Sequence, residues 1–213
     1  MTTADARIHG RLGVIDLGSN TILLLIVEPD GRVIEDVSRI TRLGQGVFSS
    51  GELHPEAIER TRTAVAEFAQ RARALGASRV VGVGTEALRR ARDGADFLAG
   101  LERSGVLDVA RLLGGEEEAA CAIEASRRSD PRVIVIDVGG GSTELAWIQG
   151  DPADPRPGWV RGVSLPLGSV RLTEALLPSH PVPAEDLAEL EALLEQSTAQ
   201  LAGLRAEGLD AAG

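Results

Sequence analysis

Ile136-Asp137-Val138-Gly139-Gly140-Gly141-Ser142-Thr143-Glu144-Leu145 is the stretch on which the reading of the fold turns. The apolar run Arg132-Val133-Ile134-Val135-Ile136 leads into it and ends at Asp137, and Leu145 to Ile148 follows it. That is the pattern of two strands joined by a tight turn with an acid at its mouth. Three successive glycines let backbone N–H groups approach an anion closely, and Ser142 and Thr143 add hydroxyl donors. Asp137 and Glu144 bracket the turn and are candidate ligands for a divalent metal, directly or through water.

The same grammar occurs once before. Arg11-Leu12-Gly13-Val14-Ile15 ends at Asp16, the turn Leu17-Gly18-Ser19-Asn20-Thr21 follows, and Ile22 to Val27 is the next apolar run. The second turn reads as the longer of the two, by an extra glycine. A lone glycine-rich hairpin is most often just a hairpin, but a duplicated one with an acid at the same place points to two related lobes facing one ligand. The separation of the copies is too long for a solenoid repeat.

Outward from these turns, strands and helices alternate. In the first lobe, Gly31 to Ile40 supplies a third strand and Arg42-Leu43-Gly44-Gln45-Gly46 a glycine-rich loop. Pro55 opens a helix with Ile58, Val65, Phe68, Ala69, Ala72 and Leu75 at helical spacing, which Gly76 ends. Val80 to Val83 is a short buried strand, followed by Gly84-Thr85 and a helix through Arg92. A helix from Asp96 to Ser104, a strand from Val106 to Leu112 and a helix from Glu116 to Arg128 complete the lobe. The polar stretch Arg127 to Pro131 is the boundary, giving lobes at 1–128 and 129–213. The second lobe repeats the hairpin and then carries a Pro-rich loop (Asp151 to Pro157) and a strand around Trp159 to Leu165. Helices at Gly168 to Leu177 and Pro183 to Ala206 follow. By analogy with the first lobe further elements are due before Gly213, so a truncated second lobe is expected. The alternation predicts an α/β fold with a mixed sheet in each lobe.

Composition excludes several functions. A formal net charge of -10 argues against a nucleic-acid binder, which needs surplus positive charge to displace counterions. An aromatic content of 2% with no tyrosine removes most base-stacking platforms. All 22 basic residues are arginine, so neither a lysine Schiff base nor a P-loop lysine is available. Any phosphate must be held by arginine forks, backbone N–H groups, hydroxyls or a metal. One cysteine, Cys121, makes no disulfide framework or Cys-based zinc site. No apolar run is long enough to span a bilayer and no secretory leader is evident at Met1 to Gly13, so the expected address is the cytoplasm. His9, His54 and His180 sit beside Gly or Pro in loops and flanks, which leaves the chemistry to carboxylates.

Six motifs carry a more specific resemblance. They are Ile15-Asp16-Leu17-Gly18-Ser19-Asn20-Thr21, Arg42-Leu43-Gly44-Gln45-Gly46, Gly84-Thr85-Glu86-Ala87-Leu88-Arg89, Gly115-Glu116-Glu117-Glu118-Ala119, the Asp137 to Glu144 turn, and Leu165-Pro166-Leu167-Gly168-Ser169-Val170-Arg171-Leu172-Thr173. In this order they resemble the exopolyphosphatase/guanosine pentaphosphate phosphohydrolase (Ppx/GppA) phosphatase family. The paired turns also resemble the wider actin-like, sugar-kinase and heat-shock-ATPase superfamily. The resemblance implies a two-lobed actin-like ATPase, ribonuclease H-like fold. It also implies inorganic polyphosphate or pppGpp as substrate, magnesium as the divalent metal, and a homodimer.

Site roles follow residue by residue. Three acids open one helix, where acids are favoured in any case by the macrodipole, and helical spacing does not choose among Glu116, Glu117 and Glu118. The resemblance does, matching Glu118 to the catalytic residue. It matches Arg89 to a phosphate-contacting arginine, and Arg171 occupies the corresponding position of another motif. Ser19, Asn20, Gly139, Gly140, Gly141 and Ser142 are the remaining candidate phosphate contacts, and Asp16, Asp137 and Glu144 the candidate metal ligands. The expected reaction is metal-assisted release of terminal orthophosphate from polyphosphate. The alternatives are cleavage of the 5′ γ-phosphate of pppGpp, an ATP-dependent phosphotransferase, and a non-catalytic polyphosphate or (p)ppGpp sensor.

Overall fold

The computed structural model describes residues 10–126, 134–148, 160–177, 179–199 and 201. The expected lobe boundary at 127–131, the Pro-rich loop at 151–157 and the end of the last helix lie outside these residues.

Alternating burial builds the first sheet. On β1 (Arg11–Leu17) and β2 (Thr21–Val27), Ile15, Leu17, Ile22, Leu24 and Ile26 are fully buried while their neighbours are less so. Period-two burial of this kind is what a strand with one core face requires, and each such side chain contributes roughly 1.5–3 kcal/mol by leaving water. β3 (Val33–Ile40), β4 (Ala77–Gly84) and β5 (Val109–Leu112) complete a sheet of order β3-β2-β1-β4-β5. The first three strands are antiparallel, and β4 and β5 run parallel to β1. The sheet is therefore mixed, as the alternation of elements predicts.

Helices cover its core face. α2 (Pro55–Ala74) has Pro55 in its first turn, and the His54 side chain caps it by accepting from Glu56 N. Its buried stripe of Ala64, Val65, Phe68, Ala69 and Ala72 joins the strand core. Gly76, at φ +84°, takes the left-handed turn that follows. α3 (Glu86–Arg90) and α4 (Gly94–Arg103) bring Leu88, Phe97, Leu98 and Leu101 into the same core. The loop after β3 contains a four-residue helix, α1 (Val47–Ser50), held between Gly46 and Gly51, both at φ +73°. It is too short to show helical periodicity, so the sequence reads it as loop.

The second sheet is an antiparallel meander, β6 (Ile134–Val138), β7 (Thr143–Ile148) and β8 (Val160–Leu165). It repeats the connectivity of β1-β2-β3. α5 (Gly115–Ser126), which the sequence reading assigns to the first lobe, packs on this second sheet. Its Ala119 and Ile123 bury against Ala146 and Val135. α6 (Ser169–Leu176) and α7 (Ala184–Ala199) pack on each other.

One expectation is corrected by register. Leu17 pairs with Ile22 and Val138 with Thr143, so both turns are four residues long. The same bond closes each one: Gly18 N–H donates to Thr21 O at 3.1 Å and Gly139 N–H to Ser142 O at 2.9 Å. Thr143 is the first residue of β7 rather than part of the turn, so the extra glycine replaces a turn residue instead of lengthening the loop.

α6 is seated on the glycine turn. Ser169 N–H donates to Gly139 O at 3.0 Å, and Val170 and Arg171 N–H donate to Gly140 O at 2.9 and 3.1 Å. These bonds satisfy donors that a helix start leaves unpaired. They require Gly168, where a Cβ would lie 2.3 Å from Gly141 C and 2.4 Å from Gly140 O. Gly168→Ala is expected to force α6 off the turn and destabilise the protein by about 1–3 kcal/mol. Urea denaturation checks it, and an unchanged midpoint would refute this seating.

Candidate functional site

The two turns meet. A Cβ on Gly140 would lie 3.2 Å from Asn20 N and from Ser19 Cβ, and one on Gly141 would lie 2.8 Å from Ser19 Oγ and 2.7 Å from Phe48 Cζ. Glycine at these positions is what allows the backbones to come so close. A clasp beside them joins α6 to α1: Gly46 N–H donates to Glu174 Oε2 at 3.0 Å, and the Arg171 guanidinium lies over the Phe48 ring at 5.2 Å. Arg171 thus stacks on an aromatic face, and its buried Nη1 has no hydrogen-bond partner.

Between the turns is a cleft of about 660 Å³. Asp16, Ser19, Asn20, Glu118, Asp137, Gly139, Gly140, Gly141, Ser142 and Glu144 all line it. Leu113, Thr85, Glu86, Cys121 and Ser169 line it too. Arg89 is not among the residues that line the cleft; it bonds to Leu113, Glu118 and Glu86, which do.

Backbone direction in the turns follows from where the carbonyls are tied. In a trans peptide C=O and N–H point opposite ways. Gly139 and Gly140 give their carbonyls to α6, which turns the Gly140 and Gly141 N–H groups away from that helix. In the first turn Ser19 O accepts from Gly44 N at 2.7 Å, and Asn20 O accepts from Thr41 and Arg42 N at 3.0 and 2.9 Å. The Asn20 and Thr21 N–H groups are turned away from that loop in the same manner. Each turn thus orients two consecutive donors, the backbone arrangement that suits an anion.

The carboxylates are unequal. Glu144 is buried and accepts from Ser164 Oγ at 2.9 Å, whereas Asp137 is exposed. Asp16 Oδ1 is buried with no hydrogen-bond partner. Burial, and then the neighbouring Asp137 carboxylate, push the Asp16 carboxyl up to about 6. Among the described residues no three His, Cys, Asp or Glu side chains form a ready-made metal cage. The Asp16–Asp137 pair does fit a magnesium-type ion, which is commonly held by one or two carboxylates with water and substrate phosphate. An orphaned buried carboxylate oxygen facing a second carboxylate is the deficit that such a cation removes.

The three helix-opening acids of α5 separate. Glu116 and Glu117 are exposed, and Glu117 accepts from Gly114 N and Arg111 at 2.9 Å each. Glu118 faces the cleft and accepts from Arg89 Nη1. Burial raises the Glu118 pKa, with Glu144 and Asp16 adding to it, and this outweighs the opposing Arg89 ion pair. Arg89 Nη1 also donates to Leu113 O, and Nη2 to Glu86 Oε2 at 2.7 Å. Glu86, which sequence reasoning passed over, is buried and accepts from Arg90 Nε at 2.7 Å as well. Burial opposes its ionisation, but the hydrogen bonds from Arg90 and Arg89 win and hold its pKa below the usual value. The signal was available as acid-to-arginine spacings of three and four on one helix, a pattern that usually marks an exposed surface pair.

The profile of the Ppx/GppA phosphatase family matches residues 26–210 of this chain. Exopolyphosphatase 1 of Mycobacterium tuberculosis is 30% identical over 198 residues, covering 89% of this chain and 56% of that protein. Exopolyphosphatase 2 of the same organism is 32% identical over 203 residues, with 87% and 61% covered. The chain therefore spans somewhat more than half the length of these relatives. The crystal structure of the Aquifex aeolicus Ppx/GppA family member matches with a TM-score of 0.66 at 32% identity, over 90% of this chain and 62% of that one. The ethanolamine utilization protein EutJ of Carboxydothermus hydrogenoformans matches in fold alone, with a TM-score of 0.51 at 16% identity over 91% and 68%. The profile match begins near the end of β2, after the first turn, takes in the second turn and runs past the last described helix; with the relatives it assigns the chain to the Ppx/GppA phosphatase family.

Proposed function

We propose that this cleft binds the end of an inorganic polyphosphate chain and hydrolyses its terminal phosphoanhydride. The observation that carries the reading is convergence: two acid-headed turns with oriented N–H donors face one cleft, and a half-buried glutamate with a raised pKa stands on its third side. The relatives named exopolyphosphatase favour polyphosphate over pppGpp, which presents the same terminal bond.

In this mechanism the N–H groups of Asn20, Thr21, Gly140 and Gly141, with the Ser19 and Ser142 hydroxyls, hold the terminal phosphoryl group. Arg89 adds a charged donor for a non-bridging oxygen. Asp16, Asp137 and Glu144 would hold a magnesium-type ion, which would supply charge neutralisation for the phosphate oxygens when bound. Glu118 orients the attacking water and takes its proton, a task that a carboxylate with a raised pKa performs better than an ordinary one. Phosphoryl transfer asks mainly for positioning and charge stabilisation, which acids, glycines and arginine provide without lysine or histidine.

Phosphate release from polyphosphate and from pppGpp, measured side by side, tests the reading. Glu118→Gln should reduce kcat by about 10²–10⁴, the range of a lost general base, while a polyphosphate chain still binds. Undiminished hydrolysis by that variant removes Glu118 from the role.

Asp16 yields a prediction independent of turnover. Its carboxyl titrates near 6 when folded against the ordinary 3.8, so the folded state holds the proton more tightly. Its contribution is therefore most favourable below pH ~4 and is lost as pH rises through about 6. Asp16→Asn should stabilise the protein by roughly 1–3 kcal/mol at pH 7.5 and by nothing below pH ~4, read by urea denaturation. Added magnesium should raise the midpoint of the wild type more than that of the variant. Equal responses would argue against Asp16 as a ligand.

A further inference from the structure

Glu86 is a buried carboxylate that the proposed reaction leaves without a task. It opens α3, is 8% exposed, and lines the cleft. Both of its oxygens are taken: Oε1 by Arg90 Nε and Oε2 by Arg89 Nη2, each at 2.7 Å. Its stem lies against the glycine turn, where a Cβ on Gly141 would come within 3.1 Å of Glu86 Cγ. Glu86 therefore ties one face of the Arg89 guanidinium to the wall that holds the phosphate cradle.

The other face of Arg89 is occupied differently. Nη1 donates to Leu113 O and to Glu118 Oε1, and both of these residues line the cleft. The two ion pairs are unlike in origin. Arg89 and Glu86 are three residues apart on one helix, so little conformational freedom is lost in joining them. Arg89 and Glu118 come from helices that pack on different sheets, so their contact costs more chain ordering than the Glu86 pair and is open to a competing acceptor. A phosphate oxygen is such an acceptor for guanidinium. Leaving Arg89 pinned to Glu118 would cost the reaction twice, since it occupies both the phosphate donor and the base.

We propose that Glu86 is a positioning residue that holds the Arg89 guanidinium at the cleft wall, so that an incoming phosphate oxygen replaces Glu118 on Nη1 and frees the Glu118 carboxylate. The inference rests on the phosphate-binding reading of the cleft and deepens it. Two isosteric changes on one guanidinium then act in opposite directions. Glu86→Gln loosens the fork and weakens phosphate binding, whereas Glu118→Gln removes the competitor and strengthens it.

The test uses the whole chain and tripolyphosphate with magnesium at fixed pH, followed by calorimetry. Glu86→Gln is expected to raise Kd about tenfold and Glu118→Gln to lower it a few-fold. In an Arg89→Ala background the Glu86→Gln effect should vanish, since coupled residues do not add. Weakening of the same size in both backgrounds, or the same sign for both carboxylate variants, overturns the proposal. A second readout needs no ligand. The guanidinium N–H signals of Arg89 in ¹⁵N spectra should be those of an immobilised group in the wild type and in Glu118→Gln, and should broaden in Glu86→Gln. Persistence of an immobilised Arg89 in Glu86→Gln also overturns the proposal. If the wild type binds no tripolyphosphate and releases no phosphate while the spectra behave as expected, the pinning stands and the phosphate reading of the cleft fails.

Discussion

Everything in this cleft depends on how closely two backbone turns can approach. The Gly140–Gly141 segment lies against Ser19, Asn20 and Phe48 with no room for a side chain, and α6 holds it there from behind. This contact buries Asp16 and brings it near Asp137; burial first, and then that neighbouring carboxylate, raise the Asp16 pKa. At about 1.4 kcal/mol per pKa unit the cost of an ionised Asp16 here is a substantial fraction of a domain's stability. It is sustained by ordinary packing elsewhere, chiefly the fully buried Ile15, Leu17, Ile22, Leu24 and Ile26. A local cost of this kind in a cleft, offset by a regular core, is a common division of labour.

The backbone of the two turns is alike, but their chemistry is not. Opposite Asp16 across the strand pair stands Leu23, and opposite Asp137 stands Glu144. That single difference gives the second hairpin two carboxylates and the first hairpin one, beside an apolar, 42% exposed leucine. The second turn is glycine-rich because α6 and the first turn press on it from two sides, whereas the first turn carries Ser19 and Asn20 because only their carbonyls are claimed by the loop at 41–44. Duplication supplies the frame, and the side chains divide its work.

Much of this was legible in the sequence because it is local. Alternating apolar residues ending at an aspartate and followed by Gly mark a strand and turn wherever they occur, and Pro55 and Gly76 bracket α2 by backbone geometry alone. What escaped was decided by tertiary contact. The equal length of the turns depends on register, which Thr143 cannot announce, since a β-branched hydroxyl residue suits a strand as well as a donor role. The docking of α5 on the second sheet depends on where Ala119 and Ile123 find a matching face. Helical spacing could not choose among Glu116, Glu117 and Glu118, since only the position of Arg89 on another element distinguishes them. Glu86 was hidden by its own regularity, being a helix acid with arginines three and four residues on.

The clasp between Gly46 and Glu174 bears on how the molecule assembles. It joins residues 128 apart in sequence, while the β6-β7-β8 meander and the β1-β2-β3 meander each close through neighbouring strands. Short loops cost less chain entropy to close than long ones, so the hairpins form early and long-range contacts late. The cleft is made almost wholly of the second kind, with walls drawn from residues 14 to 169. Its walls therefore carry the larger loop-closure cost, and an anion bound across it would act as a staple on the folding reaction itself.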